Sequence, residues 1–445
     1  MSEWTRLPIK DLIESQWPGE WGAEHNPYAP SVVVYRSTDI DDEGHLLEDN
    51  GGVYRSLDPK KINSKKLLPG DILLEASGGA PDRPVGRVAL FSGTRSELSV
   101  CANFLRTLRP KKSVCSEYLK WALYSLHRKS AIWRYQQQTT GIINLKVADY
   151  LNHLIDLPPL PQQRRIAEIL STLDEAIEQT EALIAKMQQV KAGLMQDLFT
   201  RGVTPDGRLR PTREQAPELY KDSPLGWIPK EWGVQPLGNL AEIVSGVTLG
   251  SKNENNDEVG VPYLRVANVQ DGYFDLQEVK TIRVSRAQFE KLQLRNGDVL
   301  MNEGGDFDKL GRGSVWQEEI KPCIHQNHVF RVRPRSDQLR SFYLAFWSQS
   351  EMGKKFFVLN SKQSTNLASI NSTQLNRFPV ALPSPGEQES IESRILALNA
   401  DFESLAQELA KFHQLKHGLM HNLLSGRVRV VEGESQNESP VQRSA

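Results

Sequence analysis

The chain repeats itself at a fixed distance of 225 residues, and this internal repeat constrains the fold more than any other feature. Residues 157–203 align without a gap on residues 382–428, and the pattern K-x-G-L-M-x-x-L occurs at 191–198 and again at 416–423. Solenoid repeats are only about 20–50 residues long. The sequence therefore predicts a duplicated molecule with approximate internal two-fold symmetry, suited to a partner that is itself two-sided.

A heptad pattern in both aligned regions predicts one long helix in each repeat. Pro161 and Pro385 stand where the helices begin, and Gly202 and Gly426 follow their ends. A single apolar seam must pair with something, so we expect the two helices to pair with each other, antiparallel by symmetry; a helix packed on its own globular domain is the alternative. The predicted pairing residues are Ile166, Leu170, Leu173, Ile177, Ile184, Met187, Leu194, Leu198, Ile391, Ile395, Leu398, Phe402, Leu409, Phe412, Leu419 and Leu423.

Lys191 and Lys416 occupy equivalent positions in the two seams, where a lone polar residue tends to fix the register of a helix pair. The globular parts resemble each other more weakly but in the same order, and their short β-type runs separated by Gly, Pro and Asn predict strand-rich domains. We therefore predict an α+β fold, with two strand-rich domains joined by a pair of long antiparallel coiled-coil helices and a pseudo-two-fold repeat. The predicted segments are domain 1–155, long helix 156–203, proline-rich linker 204–230, domain 231–380, long helix 381–428 and disordered tail 429–445.

Length and composition limit the class of protein. A chain of 445 residues corresponds to about three domains, and its apolar share of 39% permits sizeable cores. It has no run of about 18 apolar residues and no basic-then-apolar secretion signal, so we expect no membrane segment. The three cysteines are scattered and odd in number, which favours a reducing cytoplasm.

The net charge is only −1, but the basic side chains are concentrated in residues 104–150 and 328–362, at corresponding places in the two repeats. Two basic clusters in register favour a surface that faces phosphates. The alternative for each cluster is an ordinary solvated face.

A polar stretch rich in Gln, Asn, Ser and Thr overlaps or ends each basic segment, at residues 136–144 and 361–369. Such side chains donate and accept hydrogen bonds at base edges and phosphates, although a polar loop capping the next helix is the alternative. Glycine pairs at 78–79 and 304–305, with Arg83, Arg87, Lys309 and Arg312 nearby, form a second candidate region for close approach of the backbone to DNA. The residues predicted to contact DNA are Arg106, Lys111, Lys112, Gln136, Gln137, Gln138, Thr139, Thr140, Asn144, Arg265, Lys309, Arg312, Lys354, Lys355, Lys362, Gln363, Ser364, Thr365 and Asn366.

Taken together, these motifs resemble the DNA-specificity subunits of type I restriction-modification enzymes across nearly the whole chain. The resemblance rests on two copies of P-x-x-x-x-Q-x-x-I opening a helix that ends in K-x-G-L-M-x-x-L, on S-P-L-G-W-I-P-K-E-W at 223–232, and on Q-S-T-N at 363–366. It implies two target-recognition domains that each read half of a bipartite site in double-stranded DNA. It also implies helices that set the spacing and dock two copies of the modification subunit.

The same resemblance implies that catalysis belongs to other subunits. We expect no cofactor on this chain, S-adenosylmethionine on the modification subunits, and ATP with Mg on a restriction subunit that joins the complex. A modification-only complex and a coiled-coil scaffold that binds no DNA are the alternatives.

A self-contained nuclease or methyltransferase is a third possibility, and it would require catalytic motifs in this chain. The string Asn26-Pro27-Tyr28 lacks the second proline of an adenine methyltransferase motif, and no G-x-x-x-x-G-K-S/T phosphate loop occurs. Cys323, His325 and His328 are too close together and too few for a zinc site. We therefore predict no catalytic residue and no metal site.

Overall fold

The computed structural model describes residues 4–80, 82–139, 141–248, 257–305, 310–363 and 368–430, with the backbone only for 139, 305 and 363. The chain divides into two compact units. Unit 1 comprises Met1–Glu181 with Gln407–Ala445, and unit 2 comprises Ala182–Ala406. Both divisions fall inside long helices, so each unit holds one strand-rich domain, here called a head, together with part of each helix. Nearly all of the tail predicted at 429–445 lies outside the described residues.

The head of unit 1 contains two four-stranded sheets, one three-stranded sheet and one two-stranded sheet among its described residues. The sheet orders are β2-β10-β6-β8, β3-β5-β4-β9, β11-β12-β7 and β1-β13, and only the β4–β9 pairing is parallel. The strands are β1 (Thr5–Pro8), β2 (Ile13–Pro18), β3 (Ala23–Glu24), β4 (Ser31–Tyr35), β5 (Val53–Ser56), β6 (Ile72–Glu75), β7 (Ser77–Gly79), β8 (Val88–Leu90), β9 (Ser99–Cys101), β10 (Leu105–Pro110), β11 (Gln136–Thr139), β12 (Ile142–Leu145) and β13 (Leu154–Leu157). The helices are α1 (Ile9–Leu12), α2 (Pro59–Lys65), α3 (Ser116–His127), α4 (Val147–Leu151) and the long α5 (Leu160–Thr200).

The head of unit 2 repeats this plan. Its orders β17-β24-β20-β22, β19-β18-β23, β21-β26-β25 and β16-β27 correspond to the sheets of unit 1, although among the described residues β19-β18-β23 has three strands where unit 1 has four, and a β14-β15 pair lies in the linker. The strands are β14 (Tyr220–Lys221), β15 (Ile228–Pro229), β16 (Gly233–Pro236), β17 (Ala241–Ser245), β18 (Glu258–Leu264), β19 (Lys280–Ser285), β20 (Val299–Asn302), β21 (Gly304–Gly305), β22 (Gly313–Val315), β23 (Ile324–His325), β24 (Val329–Pro334), β25 (Lys362–Gln363), β26 (Ala368–Ser369) and β27 (Pro379–Leu382). The helices are α6 (Leu237–Leu240), α7 (Arg286–Leu292), α8 (Ser341–Gln349), α9 (Glu351–Asn360), α10 (Ser372–Asn376) and the long α11 (Pro385–Leu424).

The two long helices have 41 and 40 residues, so each is about 60 Å long at the usual rise of about 1.5 Å per residue. Within unit 1 they run antiparallel, because Asp174 of α5 pairs with Lys416 of α11 while the later residue Glu181 lies beside the earlier residue His413. Within unit 2, Leu198 shares one apolar core with Ile391, so the end of α5 lies beside the start of α11. These contacts agree with the predicted fold class. No helix in the described part of the chain is long and apolar enough to cross a membrane.

The predicted seam is the least exposed stripe of both helices. Flanking positions along the helices are mostly exposed, which is the pattern expected when one face of each rod is covered. Among the seam residues, Ile166, Leu170, Leu173, Ile177, Leu198, Ile391, Ile395 and Leu423 are buried, and Ile184, Met187, Leu194, Leu398, Phe402, Leu409, Phe412 and Leu419 are half-buried.

The repeated glutamine of the P-x-x-x-x-Q motif fastens each long helix to its head. The backbone N–H of Cys115, just before α3, donates to Gln163 Oε1 at 2.9 Å, and Gln163 Nε2 donates to the carbonyl of Pro158 at 2.8 Å. In unit 2 the backbone N–H of Arg340, just before α8, donates to Gln388 Oε1 at 2.9 Å, and Gln388 Nε2 donates to the carbonyl five residues earlier. Both glutamines are buried, so the motif fixes the angle at which the helix leaves its head.

Candidate nucleic-acid interface

In unit 1, the predicted reading segment forms a hairpin of strands β11 and β12. Strand β12 pairs in turn with β7, which carries the glycine pair, so the two candidate regions of the sequence form one three-stranded sheet. Gln137 and Gln138 on β11 are exposed. A two-stranded ribbon is narrow enough to enter the major groove of B-DNA. The sheet therefore presents two amide side chains on an element of the right size.

Other members of the predicted set in this hairpin are used inside the head. Gln136 accepts from the backbone N–H of Val85 at 3.0 Å and donates to the carbonyls of Val85 and Ile132, each at 3.1 Å. The Ser77 hydroxyl donates to Asn144 Oδ1 at 2.6 Å, which ties β12 to β7. These contacts position the hairpin, and Gln137 and Gln138 are its exposed amide side chains. The side chain of Thr139 and all of Thr140 lie outside the described residues.

Unit 2 builds the corresponding sheet from β25, β26 and β21. Lys362 on β25 pairs with Ser369 on β26, and Gly304 on β21 pairs with the same residue from the other side. Lys362 is exposed. The side chain of Gln363 and the predicted contact residues Lys309, Ser364, Thr365 and Asn366 lie outside the described residues.

A short turn before β10 and its counterpart before β24 belong to the same surfaces, and the sequence did not single them out. The backbone N–H groups of Ala76 and Ser77 both donate to the carbonyl of Phe104, at 2.8 and 3.2 Å. In unit 2 the backbone N–H of Glu303 donates to the carbonyl of His328 at 2.9 Å. Phe104 is 48% exposed and the side chain of His328 is 57% exposed. The alignment of Phe104 with His328 beside the two basic segments was the available signal.

The predicted phosphate contacts are distributed unevenly over the two heads. Lys111 and Lys112 are exposed just after β10, and Lys354 and Lys355 are exposed on α9. Arg106 is half-buried, and its Nε donates to Gln16 Oε1 at 2.9 Å.

Two arginines of the second head, Arg265 and Arg312, are less exposed than these lysines. The Arg265 side chain donates to the carbonyl of Glu278 at 3.1 Å and lies 3.7 Å from the carboxylate of the same residue. Arg312 is half-buried next to β22. The exposed lysines are therefore the best placed of the predicted cations to approach a phosphate backbone.

Several arginines of the two basic segments are paired inside the heads, so the expectation of a surface that faces phosphates rests on the remaining basic side chains. Arg109 on β10 donates from Nε and Nη2 to the buried Asp71, at 2.8 and 2.7 Å, and Arg333 on β24 makes the same bidentate pair with the buried Asp298, at 2.6 and 2.8 Å. Arg331 is buried beside Glu242. A strand alternates its faces, so only part of a basic strand can point to solvent. Much of the repeated positive charge is structural.

Arg87, one of the basic residues near the first glycine pair, is also structural. It is buried, pairs with Glu75 through two hydrogen bonds of 3.0 and 2.7 Å, and donates to the carbonyls of Ser37 and Ile40. It therefore connects β6 to the segment that follows β4. Arg83 is exposed and stays a candidate contact.

The cysteine and histidines near β23 have roles in packing and polar contact. His325 is fully buried, its Nδ1 lies 2.6 Å from the carbonyl of Val329, and burial lowers its pKa to about 4. Cys323 is buried, and burial raises its pKa to about 12. His328 faces the solvent instead, with Nδ1 2.7 Å from Glu303 Oε2. The described residues contain no group of three His, Cys, Asp or Glu side chains that could hold a metal ion.

Comparison with known proteins agrees with this duplicated architecture. A family model described as the type I restriction modification DNA specificity domain matches residues 1–189 and 229–411. The specificity subunit of the type I restriction enzyme MjaVIII of Methanocaldococcus jannaschii is 27% identical over 378 residues, covering 83% of this chain and 82% of that protein. The putative type I restriction enzyme MjaX specificity subunit of the same organism is 25% identical over 431 residues, covering 96% and 94%.

Among solved structures, the S subunit of a type I restriction-modification system from M. genitalium has a TM-score of 0.57 to this chain. The similarity covers 95% of this chain and 96% of that one at 15% sequence identity, which shows a shared fold. The two family matches fall on the two repeats and together span most of the sequence. The chain therefore belongs to the family of type I restriction-modification DNA specificity subunits.

Proposed function

We propose that each head reads one half of an asymmetric, bipartite site in double-stranded DNA, and that the chain supplies this specificity to a type I restriction-modification enzyme. The main support is that both units build the same three-stranded surface with different side chains. Unit 1 presents Gln137 and Gln138 there, whereas unit 2 presents Lys362 and, on the adjacent turn, His328. Because the scaffolds match and the exposed groups differ, the two half-sites are unlike.

Within each head, exposed side chains on different elements have different roles in binding DNA. Lys111 and Lys112 in the first head, and Lys354 and Lys355 in the second, supply charge for phosphates, which sets orientation on the duplex without reading sequence. The hairpin sheet supplies the hydrogen-bonding groups that read base edges. The arginines paired with Asp71 and Asp298 hold together the four-stranded sheets that contain β10 and β24.

The long helices separate the two half-sites and carry the partners. We propose that they dock two copies of a modification subunit, one for each repeat, and that a restriction subunit joins the complex. The relatives are named as subunits of type I restriction enzymes, which supports an assembly of this kind. S-adenosylmethionine, and ATP with Mg for restriction, then belong to those subunits, the chain itself is non-catalytic, and the complex acts in the cytoplasm.

A head exchange tests the proposal directly. Residues 1–155 would be replaced by the corresponding head of another specificity subunit, and modified adenines would be mapped across the genome of a host carrying the complex. We expect one half of the recognised sequence to change, while the other half and the spacer length stay the same. A change in both half-sites, or no modification that depends on this chain, would contradict the proposal.

A further inference from the structure

The turns before β10 and β24 carry different chemistry in the two heads although their backbones are held alike. In unit 1 the carbonyl of Phe104 accepts from the N–H of Ala76, and the carbonyl of Ala76 accepts from Leu145 on the reading hairpin, at 2.8 and 2.9 Å. The pair of residues at this position, Ala76 and Phe104, is apolar, and Phe104 is 48% exposed.

In unit 2 the same backbone bonds hold a polar pair. The N–H of Glu303 donates to the carbonyl of His328, and the carbonyl of Glu303 accepts from Ile370, both at 2.9 Å. Glu303 thus corresponds to Ala76, and His328 to Phe104. The His328 ring lies with Nδ1 2.7 Å from Glu303 Oε2, and their side chains are 57% and 27% exposed.

A carboxylate on a surface that approaches DNA is repelled by phosphates unless it meets a hydrogen-bond donor there. In the major groove the donors are the exocyclic amines of cytosine and adenine, and Glu is suited to accept from the cytosine amine. An ionised carboxylate has about four lone-pair positions, so the bond to His328 leaves acceptor capacity. The His328 ring beside this carboxylate adds a second polar group to the same surface.

We propose that Glu303 and His328 form a specificity pair that selects an amine-bearing base, cytosine or adenine, at one position of the second half-site. Phe104 and Ala76 at the corresponding place in the first head select the apolar methyl group of thymine, which aromatic and small apolar side chains contact in the groove. This inference rests on the proposed function, and it names the residues through which two equal scaffolds read unlike bases.

The test compares sequences selected from a random duplex library by the full-length chain assembled with its modification subunit. The exchange variants are Glu303→Ala with His328→Phe in the second head and Ala76→Glu with Phe104→His in the first. We expect each exchange to change the preference at one position of its own half-site, with a roughly 5- to 150-fold loss of discrimination for the original base. Glu303→Gln, which keeps the shape but adds a donor, should relax the same position.

The outcomes separate this inference from the proposed function. If the wild-type complex selects no bipartite sequence, the proposed function fails. If it selects one and both exchanges leave the preferred bases unchanged while affinity falls, the specificity pair fails and the proposed function stands. Thermal unfolding of each variant shows whether the head is folded, and Lys112→Ala is a matched control that should weaken binding without changing the preferred sequence.

Discussion

The two copies of the repeated seam lysine lie in very different surroundings. In unit 1, Lys416 is buried, with Nζ 2.5 Å from Asp174 Oδ1 and 2.8 Å from Glu43 Oε2. The same Asp174 also lies 2.7 Å from His45 Nε2 and 3.8 Å from the buried Lys120. One carboxylate therefore connects both long helices to two segments of the first head.

In unit 2, the equivalent Lys191 is half-buried, and uncharged residues occupy the repeat positions of two charged residues of the unit 1 cluster. Asn399 occupies the repeat position of Asp174, and Ala345 that of Lys120. Burial lowers the pKa of Lys191, Asp271 opposes this effect, and Lys354 adds to it. The two repeats thus share the hydrogen bonds of Gln163 and Gln388, but the charges of Asp174 and Lys120 have no equivalent at Asn399 and Ala345. The places where a long helix meets its head, here called junctions, therefore differ in their electrostatics.

Removing the carboxylate of Asp174 should reduce the unfolding free energy more than any other substitution proposed below. Asp174→Asn leaves Lys416, Lys120 and His45 without their common partner, and breaking a buried ion pair costs about 3–5 kcal/mol of unfolding free energy. The matched change Asn399→Ala in unit 2 should cost less than about 1 kcal/mol. Denaturant unfolding combined with hydrogen exchange resolved by segment measures both. Equal losses at the two positions would show that the charge cluster adds nothing to the junction.

Replacing Lys416 and Lys191 by methionine should show the difference between their two environments directly. Lys416→Met leaves Asp174 and Glu43 with less compensating charge, and we expect a loss of about 2–3 kcal/mol in unit 1. Lys191→Met replaces a partly desolvated cation by an apolar group of similar size, and we expect a change within about 1 kcal/mol of zero. Thermal unfolding of both variants under the same buffer conditions checks the difference. A larger loss for Lys191→Met would contradict the assignment of the two environments.

The stability of unit 1 should also depend on pH through His45. Burial by itself lowers the pKa of His45, but hydrogen bonds to Asp174 and Asp41 outweigh it and raise the pKa to about 9. A histidine whose pKa is raised in the folded state stabilises fully below its unfolded value of about 6.5, and this contribution is lost as the pH rises towards 9. Burial lowers the pKa of Lys120 to about 8, which opposes the trend above that pH.

The useful window for this measurement is therefore pH 6.5 to 8. We expect the unfolding free energy of unit 1 to fall by about 1–2 kcal/mol across it, and His45→Gln to remove most of that slope. His413→Gln is the control, because His413 is more exposed and lies 3.6 Å from Glu181. A slope that His45→Gln leaves unchanged would assign the pH dependence to other groups.

The smallest difference between the two units should come from the repeated glutamine. Gln163→Ala and Gln388→Ala each leave buried backbone groups without their partners, and we expect losses of about 1–3 kcal/mol in each unit. Because both glutamines hold the same two backbone positions, the two losses should agree within about 1 kcal/mol. Segment-resolved hydrogen exchange at the starts of α5 and α11 measures them separately. A loss in one unit alone would mean that the motif has diverged in function as well as in charge.

Much of the fold was predictable because its signals are local. The heptad spacing, the prolines at 161 and 385 and the glycines at 202 and 426 mark helices whose observed bounds are Leu160–Thr200 and Pro385–Leu424. The fixed repeat distance then implied two similar heads. These features depend on residues close together in the chain, or on the alignment of the chain with itself.

The candidate interface was predictable only in part. The exposed Gln137, Gln138 and Lys362 follow from polar composition, but the roles of Arg109 and Arg333 do not. Their partners lie 38 and 35 residues away, each just before a neighbouring strand, so no local pattern distinguishes a structural arginine from one that faces phosphates. The Glu303–His328 pair was missed for the same reason.

The sequence by itself determined the duplication, the two long helices with their apolar seam, and membership of the specificity-subunit family. Only the tertiary structure decided which charges are buried in pairs and which side chains share a surface with the reading hairpin. The physical reason is that the periodicity of apolar residues indicates the secondary structure of one segment. Burial and ion pairing depend instead on which strands become neighbours in the folded protein. Asp174 and Asn399 illustrate this, since their difference and that between Lys120 and Ala345 change the charges buried where helix and head meet.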